Sequence, residues 1–216
     1  MRISIDYFNK TTKDGLLKKT LPQYDGGGTY WVNACEVVNR GVDFTIDAHI
    51  LKQKDLNWNS SFTGTYLKNK VTSLDNIPFV QGYSPAIGLM GDVTRIVVGQ
   101  PIGAFYLYQW TGLDATGHDT YADLDGSGTL SEGDRTFCGK ANPTFTLGWN
   151  NQLSWRNWDL NLFFTGAFGA KRLNLMRYFA ASMNGASKFI TLKEAYYKSF
   201  GKTDNPMFPA VNVTNN

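Results

Sequence analysis

Hydrophobic and polar positions alternate with a period of two along five separate stretches of this chain. Successive side chains of a strand point to opposite faces, so each stretch predicts a strand with one apolar and one polar face. The clearest is Asp159 to Ala170, where Leu160, Leu162, Phe164, Gly166, Phe168 and Ala170 share a face and mainly small or polar residues take the other. In Thr144 to Trp155, Phe145, Leu147, Trp149, Leu153 and Trp155 alternate with Thr144, Thr146, Gly148, Asn150, Gln152 and Ser154, and only Asn151 breaks the apolar side. In Asn57 to Tyr66, Trp58, Phe62 and Tyr66 oppose Asn57, Asn59, Ser61, Thr63 and Thr65. Val42, Phe44, Ile46, Ala48 and Ile50 oppose Asp43, Thr45, Asp47 and His49, and Ile3, Ile5 and Tyr7 oppose Ser4 and Asp6. The last pattern predicts a strand entered partway, with a neighbour upstream. A long polar face backed by an aromatic and aliphatic one separates water from something apolar, either a protein core or a lipid bilayer.

Two links between these stretches are very short, Lys52 to Asp55 and Arg156 to Asn157, whereas those on the opposite side are long, as in Asn9 to Asn33 and Ser73 to Pro143. Tight turns at one end and large loops at the other describe an outer-membrane barrel, with its turns periplasmic and its loops extracellular. Trp58, Trp155 and Trp158 gather beside the tight turns, where amphipathic rings sit at headgroup level. Aromatics make up 14% of the chain, in keeping with such a girdle. A soluble β-sandwich also alternates and packs aromatics at strand ends, so periodicity leaves both all-β architectures open. Within the connection Thr72 to Pro143, Arg95 to Val98 and Ala104 to Trp110 have strand character around Gly99-Gln100-Pro101 and predict an extramembrane hairpin. From Leu173 to Phe200 the apolar period becomes three and four, broken near Asn184-Gly185, which predicts two short helices capping an outer loop. After Gly201, the Asn, Pro and Thr content marks an irregular segment.

Charge and composition remove further classes. The formal net charge over 216 residues is only +3, with Lys and Arg scattered and no basic stripe interleaved with aromatics, so no nucleic-acid partner is predicted. No apolar run reaches helix-spanning length, and Met1-Arg2-Ile3-Ser4-Ile5-Asp6 has no charged n-region followed by an apolar h-region; an export signal is expected outside these residues. Cys35 and Cys138 lack metal-ligand spacing and fall in different predicted loops, which makes two unpaired thiols the expectation. His49 and His118 are the only histidines. No nucleophile can be placed beside His49, which belongs to a polar strand face with Asp43 and Asp47, and no catalytic residue is predicted. Gly26-Gly27-Gly28 follows no strand-to-helix signal and precedes no Lys-Ser/Thr pair, so it is read as a loop tip and not as a phosphate loop.

The sharpest local motif runs from Asp123 to Asp134. With Asp123 as position one, oxygen donors fall at one, three and five (Asp123, Asp125, Ser127), a turn glycine at six (Gly128), a backbone carbonyl at seven (Thr129) and a carboxylate at twelve (Asp134). Alternate positions of a flexible loop turn their oxygens toward one point, the arrangement that hard Ca²⁺ requires. The competing expectation is an Asp, Gly and Ser-rich surface turn with no ion. A bound ion would stiffen the loop and supply no catalysis.

The order of several segments then becomes recognisable: Gly99-Gln100-Pro101-Ile102-Gly103-Ala104-Phe105-Tyr106-Leu107-Tyr108, then Gly112-Leu113, the acidic loop followed by Arg135, Gly139-Lys140-Ala141-Asn142-Pro143, and Trp158-Asp159-Leu160 with Phe163-Phe164 and Gly166. Upstream, Asp6 to Asp14, Asn33-Ala34 and Glu36 to Val42 continue the series. Across nearly the whole chain this order resembles the C-terminal barrel region of SusC/RagA-type TonB-dependent outer-membrane transporters. Ser127, Leu107 and Cys138 depart from the family's usual acidic residue, glycine and aliphatic residue. The resemblance implies that residues 1–216 are a partial antiparallel transmembrane barrel, about five crossings of about 22 strands. It implies a signal peptide, a plug domain and final strands outside this sequence, since five strands alone leave open edges that lipid does not tolerate. It further implies import of oligosaccharides or peptides, energy from TonB through the plug, outer-membrane lipid around the wall, and a SusD-like surface lipoprotein over the loops Asn9 to Asn33, Ser73 to Pro143 and Leu173 to Asn216. No cofactor beyond possible Ca²⁺ is implied. The alternative function is a soluble or surface calcium-stabilised β module that binds carbohydrate.

Overall fold

The computed structural model describes residues 1–20, 26–85, 91–175, 201 and 204. Its strands, in chain order, are β1 (Arg2–Thr20), β2 (Thr29–Lys52), β3 (Leu56–Ser73), β4 (Val80–Gln81), β5 (Arg95–Ile96), β6 (Ala104–Tyr108), β7 (Trp110–Leu113), β8 (Asp119–Tyr121), β9 (Arg135–Lys140), β10 (Phe145–Trp155) and β11 (Trp158–Phe168). Five of them form one antiparallel sheet in the order β1-β2-β3-β10-β11, which is not closed. Three two-stranded sheets, β4-β5, β6-β9 and β7-β8, lie in the long connection. The chain divides into two compact units, Met1–Tyr106 with Gly139–Lys171, which holds the large sheet, and Leu107–Cys138 with Arg172–Asn216, which holds β7, β8 and the acidic loop.

All five predicted strands are present and both tight turns are where the sequence places them. Four expectations change. Residues 9–33, expected as one loop, are mostly strand: β1 continues to Thr20 and β2 begins at Thr29, paired from Lys10↔Asn39 up to Thr20↔Thr29. Mutual pairing satisfies the backbone N–H and C=O groups of two polar arms, a gain that side-chain pattern does not record. Ile50 does not continue the regular alternation, because a bulge after His49 leaves it out of register and puts Leu51 opposite Trp58. The expected hairpin around Gly99-Gln100-Pro101 is reduced to one bridge, Thr94↔Phe105. Its arms pair elsewhere, β5 with β4 and β6 with β9. The intervening residues dock on the free edge of β3, with the Val71 N–H donating to Gln100 (2.9 Å) and the Gly99 N–H donating to Val71 (2.9 Å). Nearly all of the predicted helical stretch Leu173 to Phe200, and the irregular segment after Gly201, lie outside the described residues. Cys35 and Cys138 sit on β2 and β9, not in loops, and Cys35 is a buried thiol.

A small core packs where β2 and β3 run on past β10. Cys35, Val37, Val71 and Leu74 are buried there, with Leu17, Ile77 and Ile96 against them. Beside it the Arg95 guanidinium lies between the Phe79 and Tyr106 rings, 4.2 Å from each centroid, and donates twice to Asp92 at 2.8 and 3.1 Å. Two rings and a bidentate carboxylate offset the cost of burying the pair, since Asp92 is 5% exposed.

Candidate functional site

The pairing register assigns every side chain of the large sheet to a face. Phe145↔Tyr66, Leu147↔Gly64, Trp149↔Phe62, Leu153↔Trp58 and Trp155↔Leu56 share one side with Phe168, Gly166, Phe164, Leu160 and Trp158. Val42, Phe44 and Ile46 on β2 and Tyr7, Ile5 and Ile3 on β1 continue it. No layer covers this face among the described residues: Ile5 is 70%, Phe164 51% and Trp149 42% exposed. Its rings pack against one another in the plane of the sheet, Phe62 to Phe44 at 5.7 Å, Phe44 to Phe145 at 6.3 Å, Phe145 to Phe168 at 6.1 Å, and Trp149 to Phe164 at 5.5 Å. Gly64 makes room for this, because a Cβ there would sit 2.4 Å from the Phe44 ring. β10 has 11 residues, within the about 9–11 that a tilted strand needs to cross a bilayer. Trp58, Trp155 and Trp158 end the band at the tight turns, and Tyr7 and Tyr66 end it at the other limit.

Asn151, the one break in the predicted apolar side, has a partner on the same face that alternation does not reveal. It lies opposite Ser60. The Trp58 indole N–H donates to Asn151 Oδ1 (3.3 Å) and the Trp149 indole N–H donates to Ser60 Oγ (2.8 Å). The two polar residues therefore satisfy the two indole donors that an apolar medium would otherwise strand.

The opposite face carries Asp43, Thr45, Asp47 and His49, then Asn59, Ser61, Thr63 and Thr65, then Thr146, Asn150 and Gln152. Ser61 donates to Asp47 (2.6 Å), and His49 is hydrogen-bonded to Asn59. Among the described residues, Asn150 Oδ1 is buried with no hydrogen-bond partner. Phe163 is the aromatic exception on this face, 67% exposed and lying across Gly148. Such a surface can hydrogen-bond water and polar solutes; it assembles no nucleophile and base.

Above Tyr66 the faces exchange character. On β3 the outward residues are now Lys68 and Lys70, while Asn69 and Val71 point inward. On β2, Arg40 points outward, and Asn39 and Val37 point inward. The inward apolar residues belong to the small core, and Asn69 donates to Asn39 (2.7 Å) while accepting from the Ile102 N–H (2.8 Å).

The acidic loop is built by its own backbone. Asp123 accepts from the N–H groups of Gly126 (2.7 Å), Ser127 (3.2 Å) and Gly128 (2.9 Å). Gly126 and Gly128 both have left-handed φ, +72° and +73°, which side chains rarely adopt. Asp134, 1% exposed, accepts from the N–H groups of Leu124 (2.8 Å) and Ser131 (2.7 Å), and Ser131 caps the short 3-10 turn Glu132–Asp134. Donation by Ser131 and Ser127 lowers the Asp125 carboxyl to about 2, and the Ser131 N–H holds that of Asp134 down as well. Ligand oxygens of Asp123, Asp125 and Asp134 lie within 4.8 Å of one another. Ser127 and Thr129 are joined to each other, the Ser127 hydroxyl donating to the Thr129 carbonyl (2.9 Å). Three carboxylates converging on one point, with those of Asp125 and Asp134 held down, suit a hard cation.

A sheet with an unpartnered apolar face of bilayer height, a polar reverse face, tight turns at one end and long connections at the other is a section of transmembrane β-barrel wall. The structure of the RagAB peptide transporter contains the same fold: the match covers 97% of this chain and 24% of that one, with a TM-score of 0.77 at 23% identity. In sequence, TonB-dependent receptor P3 of Formosa agariphila is 31% identical over 191 residues, which is 81% of this chain and 19% of the relative. TonB-dependent receptor SusC of Bacteroides thetaiotaomicron is 26% identical over 168 residues, 73% of this chain and 16% of the relative. No family model matches. The chain belongs to the SusC/RagA-type TonB-dependent receptors and corresponds to part of their barrel region. It spans about a fifth of the length of the curated relatives it matches.

Proposed function

We propose that this chain supplies part of the wall of an outer-membrane, TonB-dependent importer of oligosaccharides or peptides that works with a SusD-like surface lipoprotein. The observation that carries this is the two-faced sheet, apolar where lipid would lie and lined with hydroxyl, amide and carboxylate groups where a water-filled lumen would lie. The relatives support the transport class, since RagAB is a peptide transporter and SusC a TonB-dependent receptor. The lumen groups pair equally well with sugar hydroxyls and peptide amides, so both substrate classes stay in the proposal. Energy coupling through TonB requires a plug, and the lipoprotein would meet the long connections, above all residues 73–143. No catalytic role is proposed. The test is uptake in cells with and without the complete receptor, supplied with labelled oligosaccharides and peptides. Loss of one class of uptake on deletion, restored by the gene only when TonB is active, is the expected result; unchanged uptake of both classes would sink the proposal. The soluble carbohydrate-binding module is disfavoured by the bare apolar face, which a sandwich would cover with a second sheet.

The acidic loop is proposed to hold Ca²⁺ through Asp123, Asp125 and Asp134, as an ordering ion. Calorimetric titration of the complete receptor with CaCl₂ should give binding heat that Asp123→Asn abolishes; equal heats from both proteins would leave an ion-free turn. Lowered carboxyl pKa values set the pH window. Against 3.8 for an ordinary Asp, Asp125 titrates near 2. The ionised form of the folded loop is therefore favoured at neutral pH, and that advantage is lost as pH falls from about 4 toward 2.

A further inference from the structure

Just above the apolar band, three cations face outward, and no ion pair holds any of them among the described residues. Arg40 lies directly opposite Lys68 across the β2–β3 pair, and Lys70 lies opposite Val38, one outward position higher. All three residues are exposed. Arg40 Nε donates to Asn9 (3.2 Å), and among the described residues none of the three forms an ion pair. Like charges directly opposite one another on a sheet repel and destabilise the pairing, so the arrangement calls for an external counter-charge. Its height identifies the source. Lys68 is two residues beyond Tyr66 and Arg40 two beyond Val42, about 7 Å along the strand from the last apolar row. Tyr66 is 48% and Tyr7 70% exposed at that row, as amphipathic rings at a membrane–water boundary are. The cations therefore stand at headgroup level, outside the barrel and away from the lumen.

We propose that Arg40, Lys68 and Lys70 form a binding site for the phosphate of an anionic lipid headgroup in the leaflet at the loop end of the barrel. The lipid phosphate accepts hydrogen bonds and charge from the guanidinium and the two ammonium groups, while its acyl chains lie against Tyr66, Val42 and the rings below. This rests on the outer-membrane assignment and adds to it a site of defined chemistry. It also gives a reason for the chemical exchange of the two faces at Tyr66, since a strand leaving the bilayer has headgroups on one side and packed loops on the other.

The test uses the complete receptor in vesicles of a neutral phosphatidylcholine with a minor fraction of spin-labelled phosphatidic acid. The motionally restricted label reports lipid held at the wall. The wild type should prefer the anionic label over a spin-labelled phosphatidylcholine, and the variant Arg40→Gln, Lys68→Gln, Lys70→Gln should lose about fivefold in relative affinity for each charge removed. Lys68→Arg with Lys70→Arg, which keeps the charges, should retain the preference. Raised salt should weaken it, and free inorganic phosphate at matched ionic strength should not displace the lipid. Equal preference in the wild type and the Gln variant overturns the site while leaving the barrel intact. Displacement by free phosphate overturns the lipid as its ligand. Failure of every form to enter neutral vesicles overturns the membrane assignment itself, and the site falls with it.

Discussion

Below Tyr66 and above it, β3 is one uninterrupted strand with the same pleat, yet its two faces exchange chemistry. Below, Trp58, Phe62 and Tyr66 point outward and Asn59, Ser61, Thr63 and Thr65 point inward; above, Lys68 and Lys70 point outward and Val71 is buried inward. β2 makes the same exchange at Val42, from outward Phe44 and Ile46 to outward Arg40 with Val37 buried on the inner side. The backbone cannot be the cause, because no bulge falls between Val42 and Arg40 or between Tyr66 and Lys68. What changes is the surroundings. The lower segment solves a membrane problem, with apolar groups toward hydrocarbon and polar groups toward a lumen. The upper segment solves a soluble-protein problem, with polar groups toward water and a small core against the connecting loops.

The largest effect should come from breaking the lower segment. Phe164→Arg places a guanidinium at mid-height on the outward face and should cost about 2–4 kcal/mol. Thr165→Arg, its neighbour in sequence at the same height, points inward and should change stability by no more than about 0.5 kcal/mol. Urea unfolding of the complete receptor in vesicles measures both. Equal costs would mean that the two faces see the same medium, and the contrast between the segments would fail.

A smaller effect of a different kind is expected above the band. Leu74 is 2% exposed in the core with Cys35, Val37 and Val71, and Leu74→Ala should cost about 2–3 kcal/mol through the cavity it leaves. That cost should be the same in detergent and in bilayers of any thickness, whereas the Phe164→Arg cost should shrink as the hydrocarbon thins. This difference also explains what the sequence discloses. Lipid on one side and water on the other impose the same demand on every strand, so the lower segments alternate in plain view. In the upper segments the partner is another loop, and Lys10 to Thr20 gives no hint of pairing until the irregularities around Gly15 and Cys35 are seen. Phe163 breaks the polar face it shares with Asn161 and Thr165, and the bulge after His49 puts Leu51, not Ile50, in register with Trp58. The acidic loop is legible because its contacts are local, side chain to nearby N–H, although the spacing does not disclose the pairing of Ser131 with Asp134.

The smallest effect separates the segments by solvent alone. Ser60 accepts the Trp149 indole N–H within the apolar band, and Asn9 accepts Arg40 Nε above it. Ser60→Ala removes an acceptor where hydrocarbon offers no replacement, and should cost about 1 kcal/mol. Asn9→Ala removes one where water is at hand, and should be neutral within about 0.5 kcal/mol. Indole fluorescence during unfolding of the two variants reads the first loss and the absence of the second. If Ser60→Ala proved as silent as Asn9→Ala, water would reach the middle of the outward face. The polar pair Ser60 and Asn151 would then mark a wet seam against another protein surface instead of two capped indoles in lipid.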